Sequence, residues 1–332
     1  MGPRIPRTPK DYVMADPTND IEPTTFTVTD TDAGQRLDKL VVAAFQSRLG
    51  RARAKALFES AAVRVDGHVA RKGDVAVAGT VISVVLDEPL DATAVADPDA
   101  PLDVRLELAE VVIVCKPAGQ PTAPIRGGER GTLVNALVAR YPEMAAFGHS
   151  SKEPGIVHRL DTDTSGFVVA ARTSAAFEAL VRGLRRGEIR KSYLLVCDGT
   201  DLADTGTIDI PLCPHPKDAK RVLACSHPRD QARYSPRPAT TSYRVIERST
   251  RLALVEASAP KASRHQIRAH FAAIGHPLVG DALYGELDAA IGRQALHAYQ
   301  VSWKGSPSVP AFDVRDGVPD EFRALLDADA GG

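Results

Sequence analysis

The sequence predicts an α+β protein in two parts, a small N-terminal α/β module and a larger second domain. Three observations carry that reading. A chain of 332 residues is long enough for two domains at roughly 100 to 200 residues each. From Asp87 to Asp103 there are six acids, no base and three prolines, the composition of an extended, solvated linker, placed at residues 88–103. On both sides of it, helix-spaced and strand-spaced apolar patterns occur together.

In the first module, Leu37, Leu40, Val41, Ala44 and Phe45 recur at helical spacing, and Ala54, Leu57 and Phe58 repeat the pattern. Val63, Val65 and Val69 then alternate with polar residues around Asp66-Gly67, a hairpin signal, and Val81 to Leu86 supplies a closing strand. The module spans 25–87, behind a tail at 1–24. The second domain, 104–312, opens with alternation in Val104, Leu106 and Leu108 and then the buried-type run VVIVCKPAG from Val111. A helix follows at Leu133 to Ala139. Residues 155–172, GIVHRLDTDTSGFVVAAR, read as short strand, polar loop and apolar strand. A later helix has Ser263 placed to cap its start, Ile267, Phe271 and Ile274 on one face, and Gly275 suited to its end. From Asp313 six acids stand against two arginines before Gly331 and Gly332, so residues 313–332 are expected to fray.

With 44% hydrophobic and 25% charged residues, the composition excludes disorder, collagen and coiled coil. The longest apolar runs, Val111 to Cys115 and Phe167 to Ala171, are far shorter than the roughly 18 residues of a membrane span, and no membrane partner is expected. Met1 to Asn19 lacks the apolar stretch of a secretory signal, so a cytoplasmic location is expected, and the four cysteines are expected to be reduced. Net charge is -1, but the charge is segregated. From Arg48 to Lys72 seven bases (Arg48, Arg51, Arg53, Lys55, Arg64, Arg71, Lys72) face two acids. Arg182, Arg185, Arg186, Arg190 and Lys191 make a second basic stretch, which its position just before Tyr193 marks for RNA rather than for a solvated helix face.

The loop from His158 to Gly166 gathers an imidazole, a guanidinium, two carboxylates and three hydroxyls between two apolar strands, and chemistry tends to sit on loops so held. Asp161 and Asp163 suit a glycosidase carboxylate pair, a single nucleophile or base, or an Asx-rich turn; spacing alone leaves all three open. Cys213-Pro-His215 and Cys225-Ser-His227 hold zinc-ligand types, but C-x-H is not the usual spacing of structural sites, and no metal is assigned. GGERGT, 127–132, is read as a turn, since it lacks the ending of a phosphate-binding loop.

GIVHRLDTDTSG resembles the signature loop of the RluA-type pseudouridine synthases. VCKPAGQPTAP with GTLVNAL, IRKSYLLVCDG, HQIRAHFAAIGHPLVGDALYG and ALHAYQVSW follow in that family's order over residues 104–303. GQRLDKLV, SRLGRARAKALFE and AVRVDGHVARKGDVAVAGTVISV, within 34–85, resemble the S4 RNA-binding domain, whose second helix and following turn lie on RNA phosphates. The resemblance implies a mixed, largely antiparallel central sheet and isomerisation of uridine to pseudouridine without cofactor or metal. It implies RNA as partner, ribosomal before transfer RNA, and a monomer.

On this resemblance Asp161 is the catalytic aspartate, acting by direct attack or by elimination at the sugar, and Arg268 is its basic partner, favouring the ionised carboxylate. Tyr193 packs on the target base, Ile267 supplies apolar wall, and His265 and Gln266 belong to the same substrate-binding segment. Unstacking the base costs a few kcal/mol, of which stacking on Tyr193 recovers roughly 1 to 3. Arg159 resembles the arginine that fills the vacated space, its plainer reading being an ion pair with Asp163 or the linker. His158 reads as a structural histidine. The chain departs from the family's Thr-Gly-Arg with Lys261, Ala262 and Ser263, Arg264 standing one place off the usual arginine. That departure motivates a rival reading as a catalytically impaired RNA-binding or ribosome-assembly factor, with a glycosidase as a distant third.

Overall fold

The computed structural model describes residues 23–45, 51–86, 93–288 and 290–331. The chain divides into two compact units between residues 91 and 92. Among the described residues no helix is long and apolar enough to cross a membrane.

The first unit runs β1 (Thr24–Thr27), α1 (Leu37–Ala44), α2 (Arg51–Glu59), β2 (Val63–Val65), β3 (His68–Val69) and β4 (Val81–Val84). Its strands form an antiparallel sheet in the order β1-β4-β2-β3. Leu37, Leu40 and Val41 of α1 share a core with Leu57, Val63, Ile82 and Val84. At the β2–β3 turn Asp66 and Gly67 both have positive φ, as a two-residue hairpin requires, and Asp66 Oδ1 accepts the Val81 N–H at 2.8 Å.

The second unit continues with β5 (Asp103–Glu107), β6 (Val111–Lys116), α3 (Leu133–Arg140), β7 (Ser165–Ala171), α4 (Ser174–Arg186), β8 (Arg190–Asp198) and β9 (Thr205–Asp209). Then come β10 (Leu212–Pro214), β11 (Val222–Ala224), α5 (Pro228–Tyr234), β12 (Thr240–Arg248), β13 (Leu252–Ser258), α6 (Gln266–Ala273), β14 (Leu296–Trp303), β15 (Phe312–Arg315) and α7 (Asp320–Gly331). Nine strands form one sheet in the order β5-β6-β7-β14-β8-β13-β12-β9, with β15 also on β14. The β7–β14 pair is parallel and every other pair antiparallel.

The near-continuous apolar runs of β6 and β7 are explained by burial on both faces. Val111, Ile113, Phe167 and Val169 pack with Ala176 and Leu180 of α4, whereas Val112, Val114, Val168 and Ala170 pack with Leu133, Val134 and Leu137 of α3. Where β7 meets β14, a Cβ on Gly166 would lie 2.3 Å from the Ala298 carbonyl oxygen, and its φ is +112°. Only glycine fits there, so the residue that ends the 158–166 loop also fixes where that loop sits on the sheet.

Two expectations from composition are corrected. Residues 88–92 lie outside the described residues, but 93–102 are not a solvated linker: they strap onto the second unit. Ala94 and Asp97 donate their N–H groups to Ser151 and Asn135 carbonyls, Asn135 Nδ2 donates to the Val95 carbonyl at 2.7 Å, and Asp97 Oδ2 accepts the Gly131 N–H. Of the acids described in this stretch, Asp97 and Asp103 spend their carboxylates on local hydrogen bonds. Nor do residues 313–331 fray. β15 pairs with β14, and α7 packs Phe322, Leu325 and Leu326 against Leu194, Val196 and Leu254. Asp320 and Glu321 stand in the first turn of α7, where the helix dipole favours acids, and Asp329 accepts the N–H groups of Arg251 and Leu252.

Phe322 is fully buried, so Phe322→Ala should lower stability by about 3 to 5 kcal/mol in a denaturant titration. An unchanged midpoint would show that α7 is not part of the folded core.

Candidate active site

The loop that carries Asp161 is held from both sides. Thr122 Oγ1 donates to the Leu160 carbonyl at 2.7 Å and accepts the Leu160 N–H at 3.2 Å, and the Gly119 N–H donates to the Thr162 carbonyl. Lys116, at the end of β6, is fully buried. Its ammonium donates to the carbonyls of Pro117, Gln120 and Thr162 at 2.8, 2.7 and 2.9 Å. Burial lowers its pKa to about 8, so it stays mostly protonated at neutral pH and ties the 117–120 turn to the aspartate loop. Sequence reasoning gave Lys116 no role; a lysine closing an otherwise buried strand was the available signal. Within the loop the Thr164 N–H closes a turn onto the Asp161 carbonyl at 3.0 Å.

Arg268 projects from the first turn of α6. Ser263 does not cap this helix as expected: the cap position is His265, in left-handed conformation with φ 53°. Ser263 instead donates through its N–H and Oγ to Gln266 Oε1, at 3.0 and 3.2 Å, so the Lys261–Ser263 segment is closed by the helix it precedes. Arg264, one place from the usual arginine, donates to the Ala219 and Lys220 carbonyls.

The Arg268 guanidinium is almost wholly buried and bridges two carboxylates. Nε and Nη2 meet Asp281 at 2.7 and 2.8 Å, and Nη1 meets Asp161 Oδ2 at 2.9 Å. Burial opposes its charge, but the bonds and charge of Asp281, then of Asp161, outweigh it and push its pKa up. Asp281 also accepts the N–H groups of Leu283 and Tyr284, which fixes the clamp to the chain. Sequence reasoning missed Asp281, because nothing in the local pattern of VGDALYG marks its carboxylate as buried. His265 lies close by, Nε2 being 3.7 Å from Asp161 Oδ2 and Nδ1 3.1 Å from Tyr284 Oη. Burial lowers its pKa.

Asp161, His265 and Arg268 line an open cleft of about 600 Å³ with Arg159, Lys191, Tyr193 and Ile267. Tyr193 and Ile267 are buried in its wall, and burial, then the charge of Asp161, push the Tyr193 phenol up, so it remains neutral. Arg159 is exposed at the rim and pairs with Glu153 at 2.8 Å, rather than with Asp163 or the linker. His158 accepts the Val169 N–H on Nε2 at 3.2 Å, and burial holds its pKa down at about 3; it is a neutral support of the second half of β7.

Not every expected residue reaches the cleft as a free group. Gln266 lines it, but its amide is spent on Ser263, the Thr240 carbonyl and Thr241 Oγ1, which makes it a brace for α6. Asp163 is exposed and does not line this cleft; it meets Asp161 only in a smaller adjoining pocket, away from Tyr193. Cys213 and Cys225 bring their Sγ atoms to 3.4 Å. His215 and His227 each accept a backbone N–H of their own loop, and among the described residues no three ligand-type side chains converge.

In the first unit Arg48 lies outside the described residues, as do the side chains of Arg51 and Arg53. Lys55 pairs with Glu59 at 3.2 Å. Arg64 donates to the Gly67 carbonyl, and Arg71 and Lys72 are exposed after β3.

Residues 110–273 match the family described as RNA pseudouridylate synthase. The chain is 34% identical over 317 residues to the ribosomal large subunit pseudouridine synthase D of Xanthomonas campestris, covering 91% of each chain. It is 37% identical over 265 residues to the protein of that name from Escherichia coli, covering 79% of this chain and 76% of the other. Among solved structures, human RNA pseudouridylate synthase domain containing 1 matches with a TM-score of 0.53 at 24% identity, over 69% of this chain and 87% of that one. That likeness speaks for the fold. With a relative 34% identical over 91% of both chains, the chain belongs to the RNA pseudouridylate synthase family.

Proposed function

We propose that the protein isomerises specific uridines of large-subunit ribosomal RNA to pseudouridine, in the cytoplasm and as a monomer, with Asp161 as the catalytic residue. One observation carries the reading: a carboxylate held at 2.9 Å by a buried arginine, itself clamped by Asp281, at the edge of a cleft walled by Tyr193. The names of the Xanthomonas campestris and Escherichia coli relatives support the RNA class, and the family resemblance supports the monomer.

In this reading the target uridine leaves its stack, packs on Tyr193 against Ile267, and presents its ribose to Asp161. Arg268 holds one oxygen of that carboxylate at 2.9 Å and so aims the group at the ribose, where it either attacks C1′ or removes the C2′ proton. Arg159 stands at the rim, within the same cleft, to occupy the space the base leaves. The reaction conserves every atom and is redox-neutral, so its balance calls for no cofactor and no metal. Arg64, Arg71 and Lys72, with the basic residues of α2 and the segment before it, track phosphates from the S4-like unit and supply affinity rather than sequence. The altered Lys261–Ser263 segment does not favour the non-catalytic reading, because Gln266 and Arg264 hold it in place and Asp161, Tyr193 and Arg268 remain together in the cleft.

Asp161→Asn should slow conversion of ribosomal RNA by more than about 1000-fold while RNA affinity stays near that of the wild type. Wild-type turnover in that variant would remove the assigned mechanism. Replacing Arg64, Arg71 and Lys72 together by glutamine should flatten the salt dependence of binding by about 0.9 in log–log slope per lost phosphate contact; an unchanged slope takes these residues off the RNA. Asp281→Asn leaves a buried guanidinium short of a charge partner. It should cost about 3 to 5 kcal/mol in a denaturant titration and slow conversion, and wild-type values of both would contradict the clamp.

A further inference from the structure

Four cationic side chains line the cleft, Arg159, Lys191, Arg264 and Arg268. Three are already engaged: Arg159 by Glu153, Arg264 by two backbone carbonyls, and Arg268 by its two aspartates. Lys191 is different. Among the described residues its ammonium has no hydrogen-bond or ion-pair partner, although it is partly buried. Burial alone moves its pKa, down to about 8, with no carboxylate opposing the shift. At neutral pH the cleft therefore holds a mostly protonated, poorly solvated ammonium that lacks an acceptor, and such a group gains from an anionic or carbonyl oxygen delivered by a ligand.

Its position indicates which oxygen. Lys191 and Tyr193 are two residues apart on β8, so they share one face of the strand about 7 Å apart. On that face Tyr193, Leu195 and Cys197 share a core with Leu160 and Ile267, the chain neighbours of Asp161 and Arg268, and Lys191 lies on the side of Tyr193 away from that core. A base stacked on the Tyr193 ring, with its ribose at Asp161, turns its far edge towards the ammonium. His158 lines the same cleft and is itself neutral, burial holding its pKa down.

Resting on the pseudouridine synthase reading above, we infer that Lys191 is a further catalytic residue, whose ammonium hydrogen-bonds the far carbonyl oxygen of the target uracil and stabilises the base as an anion. When C1′–N1 breaks, its electron pair goes to the base. This holds whether Asp161 forms a bond to C1′ or takes the C2′ proton. The negative charge spreads from N1 to O2 and O4, and a fixed cation at the distal oxygen stabilises it, as preorganised donors do for developing oxyanions. Turning the base about its N3···C6 axis exchanges N1 with C5 and O2 with O4. The distal position is filled by O4 before the turn and by O2 after it, so one ammonium serves both halves of the reaction. Bond formation from C5 to C1′ then consumes the charge as the Asp161–C1′ bond breaks or Asp161 returns its proton to C2′, and the C5 proton leaves as N1 gains one; Lys191 gives up no proton.

The test is single-turnover conversion at saturating ribosomal RNA by wild type, Lys191→Met and Lys191→Arg, with RNA affinity measured in parallel. Methionine removes a desolvated charge without leaving a hole and should keep the fold, which thermal unfolding checks; arginine restores the cation. The expected result is a loss of about 100-fold in rate for Lys191→Met, largely restored by Lys191→Arg, with affinity unchanged in both. A wild-type rate in Lys191→Met, or a defect confined to affinity as for a phosphate contact, overturns the assignment. So does a rate that arginine leaves as low as methionine in a folded protein. An inactive wild type would instead sink the synthase reading, so the two failures are distinguishable.

Discussion

The structure around the cleft depends on keeping one guanidinium out of water. Arg268 is 4% exposed, and a charge so buried is tolerated only when its partners are close and its donors are used. Asp281 supplies two contacts and Asp161 a third. The asymmetry matters: Asp281 is wholly buried and tied to its own loop, whereas Asp161 reaches the cleft. The ion bridge therefore anchors at one end and presents a carboxylate at the other.

Holding the bridge in register requires the helix beneath it. α6 is docked on β12 and the strand region before it through polar contacts, Gln266 to Thr240 and Thr241 and His270 to Thr241 and the Ile210 carbonyl. Phe271 and Ile267 lie in the apolar core beside Tyr193. On the opposite side Lys116 binds three carbonyls and fixes the turn that carries Asp161. The aspartate is thus set between a lysine that holds its backbone and an arginine that holds its side chain. With both groups fixed before substrate arrives, little reorganisation is left for the reaction step, which is where preorganised charge is most effective.

Much of this was legible in the sequence, for identifiable reasons. The Asp66-Gly67 hairpin and the runs in β6 and β7 announce themselves by local rules of turn chemistry and burial. Asp161, Tyr193, Ile267 and Arg268 were found through a resemblance spread over long segments, and they do line one cleft; their separation along the chain, from 161 to 268, means that no local pattern could have joined them. Asp281 and Lys116 escaped because a buried charge is recognised by its partners, and these are remote in sequence. Gln266 was given to the substrate, but its amide is satisfied within the fold. The acidic stretches misled for a single reason: counting charge ignores where each carboxylate points. Asp97 and Asp329 accept backbone N–H groups, and Phe322, Leu325 and Leu326, at helical spacing, outweigh the acids around them.

The most direct test of the account is pseudouridine mapping, by carbodiimide labelling and primer extension, on total RNA from cells with and without the gene. The account predicts one or more large-subunit ribosomal sites that vanish in the deletion and return with the wild-type gene but not with Asp161→Asn. Ribosomal RNA unchanged by the deletion, in cells that express the protein, would contradict it.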